Sequence, residues 1–65
     1  MTTYKFILAN GTGGYVTGGF LDTNEIGQIL IYDNDDPITQ EIIAIFPNTT
    51  LVMMNNDIIF EKMTI

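Results

Sequence analysis

The stretch Thr39-Gln40-Glu41-Ile42-Ile43-Ala44-Ile45-Phe46 admits two readings, and the choice between them sets the fold class. With Asp36 as a cap and Pro37 at a first helical position, Ile38, Ile42, Ile45 and Phe46 fall at i, i+4, i+7 and i+8. That is the spacing of a helical stripe. Against it stand Ile38, Ile42, Ile43 and Ile45, four isoleucines in nine residues. Each loses rotamer freedom in a helix and packs well on a pleated sheet. The strand reading is the stronger, with a short helical turn allowed near Pro37. Pro47 ends the segment.

Working outward, Asn34-Asp35-Asp36-Pro37 is a turn. Before it, Gln28-Ile29-Leu30-Ile31-Tyr32-Asp33 reads as a buried strand rich in β-branched residues. Residues 22–27 form a polar loop with a turn at Gly27. Tyr15-Val16-Thr17-Gly18-Gly19-Phe20-Leu21 is a strand whose Gly18-Gly19 pair predicts a bulge or sharp bend. Asn10-Gly11 gives a hairpin turn that Thr12, Gly13 and Gly14 widen. Tyr4-Lys5-Phe6-Ile7-Leu8-Ala9 opens the chain as a strand with Tyr4, Phe6 and Leu8 on one face. After Pro47, Asn48-Thr49-Thr50 turns the chain into the strand Leu51-Val52-Met53-Met54. Asn55-Asn56-Asp57 signals a second hairpin, followed by a strand from Ile58 to the end. Short strands with turns every eight to twelve residues imply one all-β domain, a small antiparallel barrel or sandwich of five or six strands.

A chain of 65 residues is near the lower limit for folding alone. It has no cysteine and no histidine, which removes disulfides and thiolate or imidazole metal sites as stabilisers. Oligomerisation is the remaining aid. The pattern agrees with it, since residues 42–46 and 51–54 are apolar on both faces and a single interior covers only one. Ile43, Ile45, Val52 and Met54 are the expected self-association residues. The alternative is a strand covered on both sides within one molecule.

The net charge is −6, with Lys5 and Lys62 as the only bases. Between them run Asp22, Glu25, Asp33, Asp35, Asp36, Glu41 and Asp57, with Glu61 next to Lys62. Such a field repels nucleic acid phosphates and anionic lipid, so neither is an expected partner. It favours a basic protein surface and speeds the encounter with it. Plain solubility explains the same charge. Asp22, Glu25, Asp33, Asp35 and Asp36 are the candidate partner-binding residues. No signal peptide or apolar segment of membrane-spanning length is recognised, so the cytoplasm is the expected location.

The chemistry-bearing repertoire is thin. The chain lacks His, Cys, Ser, Arg and Trp. Catalysis would rest on carboxylates, tyrosines, threonines and two lysines with no supporting spacing, so no catalytic residue and no enzyme activity are expected. Asp33 and Asp35 stand like the first ligands of a calcium loop, but Ile38 occupies its glycine position and no acid closes it. A solvated acidic turn is expected, and no metal. Asn10-Gly11-Thr12-Gly13-Gly14 has the glycines of a phosphate-cradling loop without its lysine or helix, so a hairpin turn is expected and no cofactor. Met53, Met54 and Met63 fit core or interface filling.

One pattern is familiar. Leu30-Ile31-Tyr32-Asp33, an acidic turn, then Glu41-Ile42-Ile43-Ala44-Ile45-Phe46-Pro47 and Leu51 resembles a pattern of small SH3-like or Sm-like barrel proteins of bacteria and phages. The resemblance covers residues 28–54, with Leu51 where tryptophan often stands. It brings no catalytic residue. A tiny acidic domain with no catalytic repertoire and excess apolar surface points to a non-enzymatic interaction module, and the phage setting that the resemblance implies would make it an inhibitor of a host or defence protein. Two other functions stay open: a binder of a nucleotide-like signal molecule, and a structural subunit of a homo-oligomeric assembly.

Overall fold

The computed structural model describes residues 1–54 and 57–60, with backbone alone at 57, 58 and 60. It is all-β. Seven strands follow in order: β1 (Thr2–Ile7), β2 (Gly13–Gly18), β3 (Phe20–Thr23), β4 (Ile29–Tyr32), β5 (Ile42–Phe46), β6 (Leu51–Met54) and β7 (Asp57–Phe60). They form two antiparallel sheets, ordered β2-β1-β6-β7 and β3-β4-β5. Among the described residues the ladders do not close into a barrel, so the sheets remain separate layers joined by a bend in one strand.

That bend is at Gly19. β2 and β3 are separated by this residue alone, and its N–H donates to the Tyr32 carbonyl at 2.9 Å. The single strand expected over residues 15–21 is therefore two, one in each sheet. Room decides the glycine requirement here. A Cβ at Gly18 would lie 2.5 Å from Ile31 Cγ2, and one at Gly19 would lie 2.6 Å from Asn34 Cα.

The first hairpin is tighter than expected. Leu8 N–H donates to the Thr12 carbonyl at 2.7 Å, and Gly11 turns the chain at φ 89. Gly13 and Gly14 thus belong to β2, opposite Ile7 and Phe6. The Phe6 ring covers Gly14, with Cζ only 3.0 Å from where a Cβ would stand. An aromatic ring laid over a cross-strand glycine restores packing that the glycine lacks.

The contested stretch divides at Glu41. Residues 37–39 turn, with the Asp36 carbonyl accepting from Thr39 N–H at 3.2 Å and Gln40 N–H at 2.8 Å. That is one helical-type turn, and no helix propagates from it. Only Ile42–Phe46 pairs as strand, with β4. The final strand begins at Asp57, and its expected continuation over residues 61–65 lies outside the described residues.

The core sits between the sheets. Tyr4, Ile29, Ile31, Phe46 and Val52 are buried together, flanked by Phe6, Leu8, Val16, Leu21, Ala44 and Met54. Phe6 and Phe46 carry the contact across the layers, with ring centroids 4.6 Å apart and planes tilted by 34°. Tyr4, Phe6 and Leu8 share the inner side of β1 and its extension, as the alternation of that segment predicts.

Candidate interaction surface

The β3-β4-β5 register defines the surface. Phe20, Tyr32 and Ile42 form one cross-strand row, and Leu21, Ile31 and Ala44 the next. Asp22, Leu30 and Ile45 follow, then Thr23, Ile29 and Phe46. Successive rows face opposite sides of a sheet. The rows of Ile31 and Ile29 enter the core. The rows of Tyr32 and Leu30 face outward. This outer face is apolar except for Asp22. Ile42 is 48% exposed, Ile45 55% and Phe20 39%, while Leu30 is buried yet stands outside the core cluster. Phe20 and Tyr32 pack ring to ring at 5.9 Å.

The expected self-association residues separate. Ile43 and Ile45 are exposed on β5. Ile43 is the unpaired residue at the irregularity between β4 and β5, and its Cδ1 lies 3.4 Å from where a Gly18 Cβ would stand. Val52 is corrected: it is fully buried in the core and presents nothing to a second molecule. Met54 is half-buried and packs against that core. Sequence reading missed Phe20, Leu30, Tyr32 and Ile42. Residues 29–32 are apolar on both faces, so no alternation marks Leu30 and Tyr32 as outward, and the facing of Phe20 and Ile42 follows from strand register.

The acidic residues are not gathered into one patch. Asp22 and Glu25 lie toward the end of the β3-β4 hairpin marked by the Thr23–Ile29 row. Asp33, Asp35 and Asp36 leave from the other end, beside the Phe20–Tyr32 row. Three residues of extended strand hold those rows roughly 10 Å apart. Within the second loop, carboxylates and amides serve the backbone. One Asp33 carboxylate oxygen accepts from Glu41 N–H at 2.8 Å and Asn34 Nδ2–H at 3.0 Å. Asn34 Oδ1 accepts from Asp36 N–H at 2.8 Å, and Asp36 Oδ1 accepts from Ile38 N–H at 3.0 Å. Asp33 N–H also donates to the Glu41 carbonyl at 2.9 Å, closing the loop's neck. Such side-chain turns are the ordinary use of Asp and Asn between strands. Asp35 is exposed and takes no part in this network.

Asp33→Ala removes two hydrogen bonds to a charged acceptor at the neck. Its expected cost is about 1–2 kcal/mol, less than two full charge-assisted bonds because the donors can reach water. Urea denaturation measures it, and an unchanged midpoint would show that the neck holds without the carboxylate.

The other loop has a hub of its own. Asn24 Oδ1 accepts from Gln28 N–H at 2.9 Å and Ile26 N–H at 3.2 Å, while Asn24 Nδ2 donates to Gln28 Oε1 at 2.8 Å. Gly27 turns the chain there at φ 83. Among the described residues, no three His, Cys, Asp or Glu side chains are placed to hold a metal ion. No helix among them is long and apolar enough to cross a membrane. No protein-family model, curated protein or solved structure matches the chain.

Proposed function

We propose that this chain is a non-enzymatic interaction domain that works by occupying another protein's surface. The observation that carries the reading is the outer face of the β3-β4-β5 sheet, where Phe20, Ile42 and Ile45 are exposed around Leu30. A contiguous apolar patch on a small acidic chain marks a site of contact. Acidic loops at both ends of the patch suit a partner whose apolar contact is bordered by Lys or Arg. The SH3-like or Sm-like relationship rests on the sequence pattern of residues 28–54. In the phage setting which that resemblance implies, the partner is a host or defence factor, the effect is inhibition, and the cytoplasm is the site of action.

The test is affinity capture from bacterial lysate at low and high salt, with wild type beside Phe20→Ala and Asp35→Asn. An aromatic anchor at the centre of an interface contributes about 2 kcal/mol or more, so Phe20→Ala weakens capture roughly 30-fold. Asp35→Asn lowers the association rate and its salt dependence while leaving the anchor intact. If wild type at low salt retains nothing that Phe20→Ala loses, the reading fails.

A further inference from the structure

We infer that Asn10, at the tip of the β1-β2 hairpin, is a covalent modification site, where attack by the Gly11 main-chain nitrogen converts the asparagine through a cyclic imide into aspartate and isoaspartate. The nucleophile in this reaction is the main-chain nitrogen of the next residue, and a side chain on that residue obstructs it. Asn10 is the asparagine that glycine follows. Nothing lies within 4 Å of where a Gly11 Cβ would stand. Both residues are exposed, so water and hydroxide reach them. The Asn10 amide is also set apart by its bonding. Its Oδ1 accepts from Thr12 N–H at 2.9 Å. That donor faces the oxygen on which charge develops as the tetrahedral intermediate forms. Among the described residues its Nδ2 donates to nothing, so nothing there holds the leaving group. Asn24 and Asn34 differ. Asn24 Nδ2 donates to Gln28 Oε1 at 2.8 Å, and Asn34 Nδ2 donates to Asp33 Oδ1 at 3.0 Å. Glu25 and Asp35 follow them, and their charge repels hydroxide. Asn48 precedes the β-branched Thr49, while Asn55 and Asn56 precede Asn56 and Asp57.

Gly11 N–H gives its proton to hydroxide, and the nitrogen bonds to Asn10 Cγ. The Cγ–Nδ2 bond breaks, and Nδ2 leaves as ammonia with a proton from water. Water then opens the five-membered imide. Cleavage at Cγ leaves aspartate on the original main chain. Cleavage at the Asn10 main-chain carbonyl carbon routes the chain through Cγ as isoaspartate. Either product adds one carboxylate to a net charge of −6. The folded turn restrains the step. Gly11 N–H donates to the Leu8 carbonyl at 2.9 Å, and Leu8 N–H donates to the Thr12 carbonyl at 2.7 Å. The first of these bonds opens before the nitrogen attacks, and an exposed hairpin tip is where such local opening costs least. The extra main-chain carbon of isoaspartate does not fit between the two bonds, so that product frees the tip. Aspartate keeps the acceptor for Thr12 N–H and leaves the tip closed.

The test is incubation of the intact chain in mildly alkaline buffer, followed by peptide mapping with mass spectrometry and labelling by an isoaspartyl methyltransferase. Asn10 gains the mass of oxygen in place of NH about tenfold or more faster than any other asparagine, because its ring closure is unobstructed. The rate rises about tenfold per pH unit, since the nucleophile is the deprotonated amide. Asn10→Gln, whose imide would need a six-membered ring, loses the product. Hydrogen exchange at the Leu8 and Gly11 amides speeds up in the isoaspartate form and stays at the wild-type rate in Asn10→Asp. An Asn10 that stays intact while another asparagine reacts overturns the inference, as does a rate independent of pH. Isoaspartate that leaves exchange at Leu8 and Gly11 unchanged overturns the effect on the tip. No partner enters the experiment, so its outcome is separable from that of the capture experiment.

Discussion

Gly18→Val leaves the chain unfolded at room temperature, and Gly18→Ala destabilises it by about 3 kcal/mol or more. A Cβ at this position would meet Ile31 Cγ2 at 2.5 Å and the Tyr32 carbonyl oxygen at 2.8 Å. Ile31 is fully buried, and the Tyr32 carbonyl accepts the Gly19 N–H that fixes the bend. Neither neighbour can retreat without opening the core or the corner. Overpacking a core costs about 1–3 kcal/mol where side chains can move aside. Here one obstacle is main chain, so alanine sits at or above that range, and valine adds two methyl groups in the same place. A folded chain of 65 residues has about 3–10 kcal/mol in total at the usual stability per residue. Circular dichroism with urea denaturation reads both variants.

Two glycine controls separate the mechanisms. Gly11 has nothing within 4 Å of a built Cβ but sits at φ 89, so Gly11→Ala costs about 1–2 kcal/mol from left-handed backbone alone. At Gly14 the obstacle is the Phe6 ring, a side chain able to shift, so Gly14→Ala costs less than Gly18→Ala. Equal midpoints for Gly18→Ala and wild type would show that the corner has room the described packing denies it.

The same glycines show how much of the fold the sequence carried. Paired glycines within an apolar strand announced a bend, because no other residue explains them there. They did not announce that the strand changes sheets, since that depends on Ile31 and Asn34, which approach from elsewhere in the chain. The isoleucines of residues 39–46 predict a strand, and Ile42–Phe46 is the part that pairs. The turn before it follows from Asp36 and Pro37, local signals that ended before Ile42 could extend a helix. The candidate surface was half legible. Ile45 was identifiable because apolar residues on both faces of a strand require a second cover, whereas Ile43 is exposed but stands at the irregularity, outside the outer rows. Val52 has the same sequence signature, yet it lies on a central strand and is fully buried in the core. Edge against centre is a property of strand order, which hydrophobic pattern does not encode.

Thr50→Val stabilises the protein by about 2 kcal/mol, against the usual direction of core substitutions. Thr50 follows the Asn48-Thr49 turn, and its N–H donates to the Pro47 carbonyl at 3.1 Å. In sequence it reads as the third polar residue of a loop. In the fold it is fully buried, and among the described residues its Oγ1 has no hydrogen-bond partner. Desolvating a hydroxyl without a partner costs about 1–3 kcal/mol, more than a typical made hydrogen bond returns. Valine has the same branched shape, so the exchange removes the penalty and opens no cavity. Its preference for extended backbone suits a position leading into β6. For a domain this small, 2 kcal/mol raises the melting temperature by about 8–16 °C. Thr50→Ser is the informative partner, because it keeps the hydroxyl and deletes the methyl. It loses stability by about 1 kcal/mol through the lost apolar contact. The order expected from thermal and urea denaturation is therefore valine above threonine above serine. Valine falling below threonine would mean that the hydroxyl is paired in solution, and the turn would then owe part of its stability to that bond.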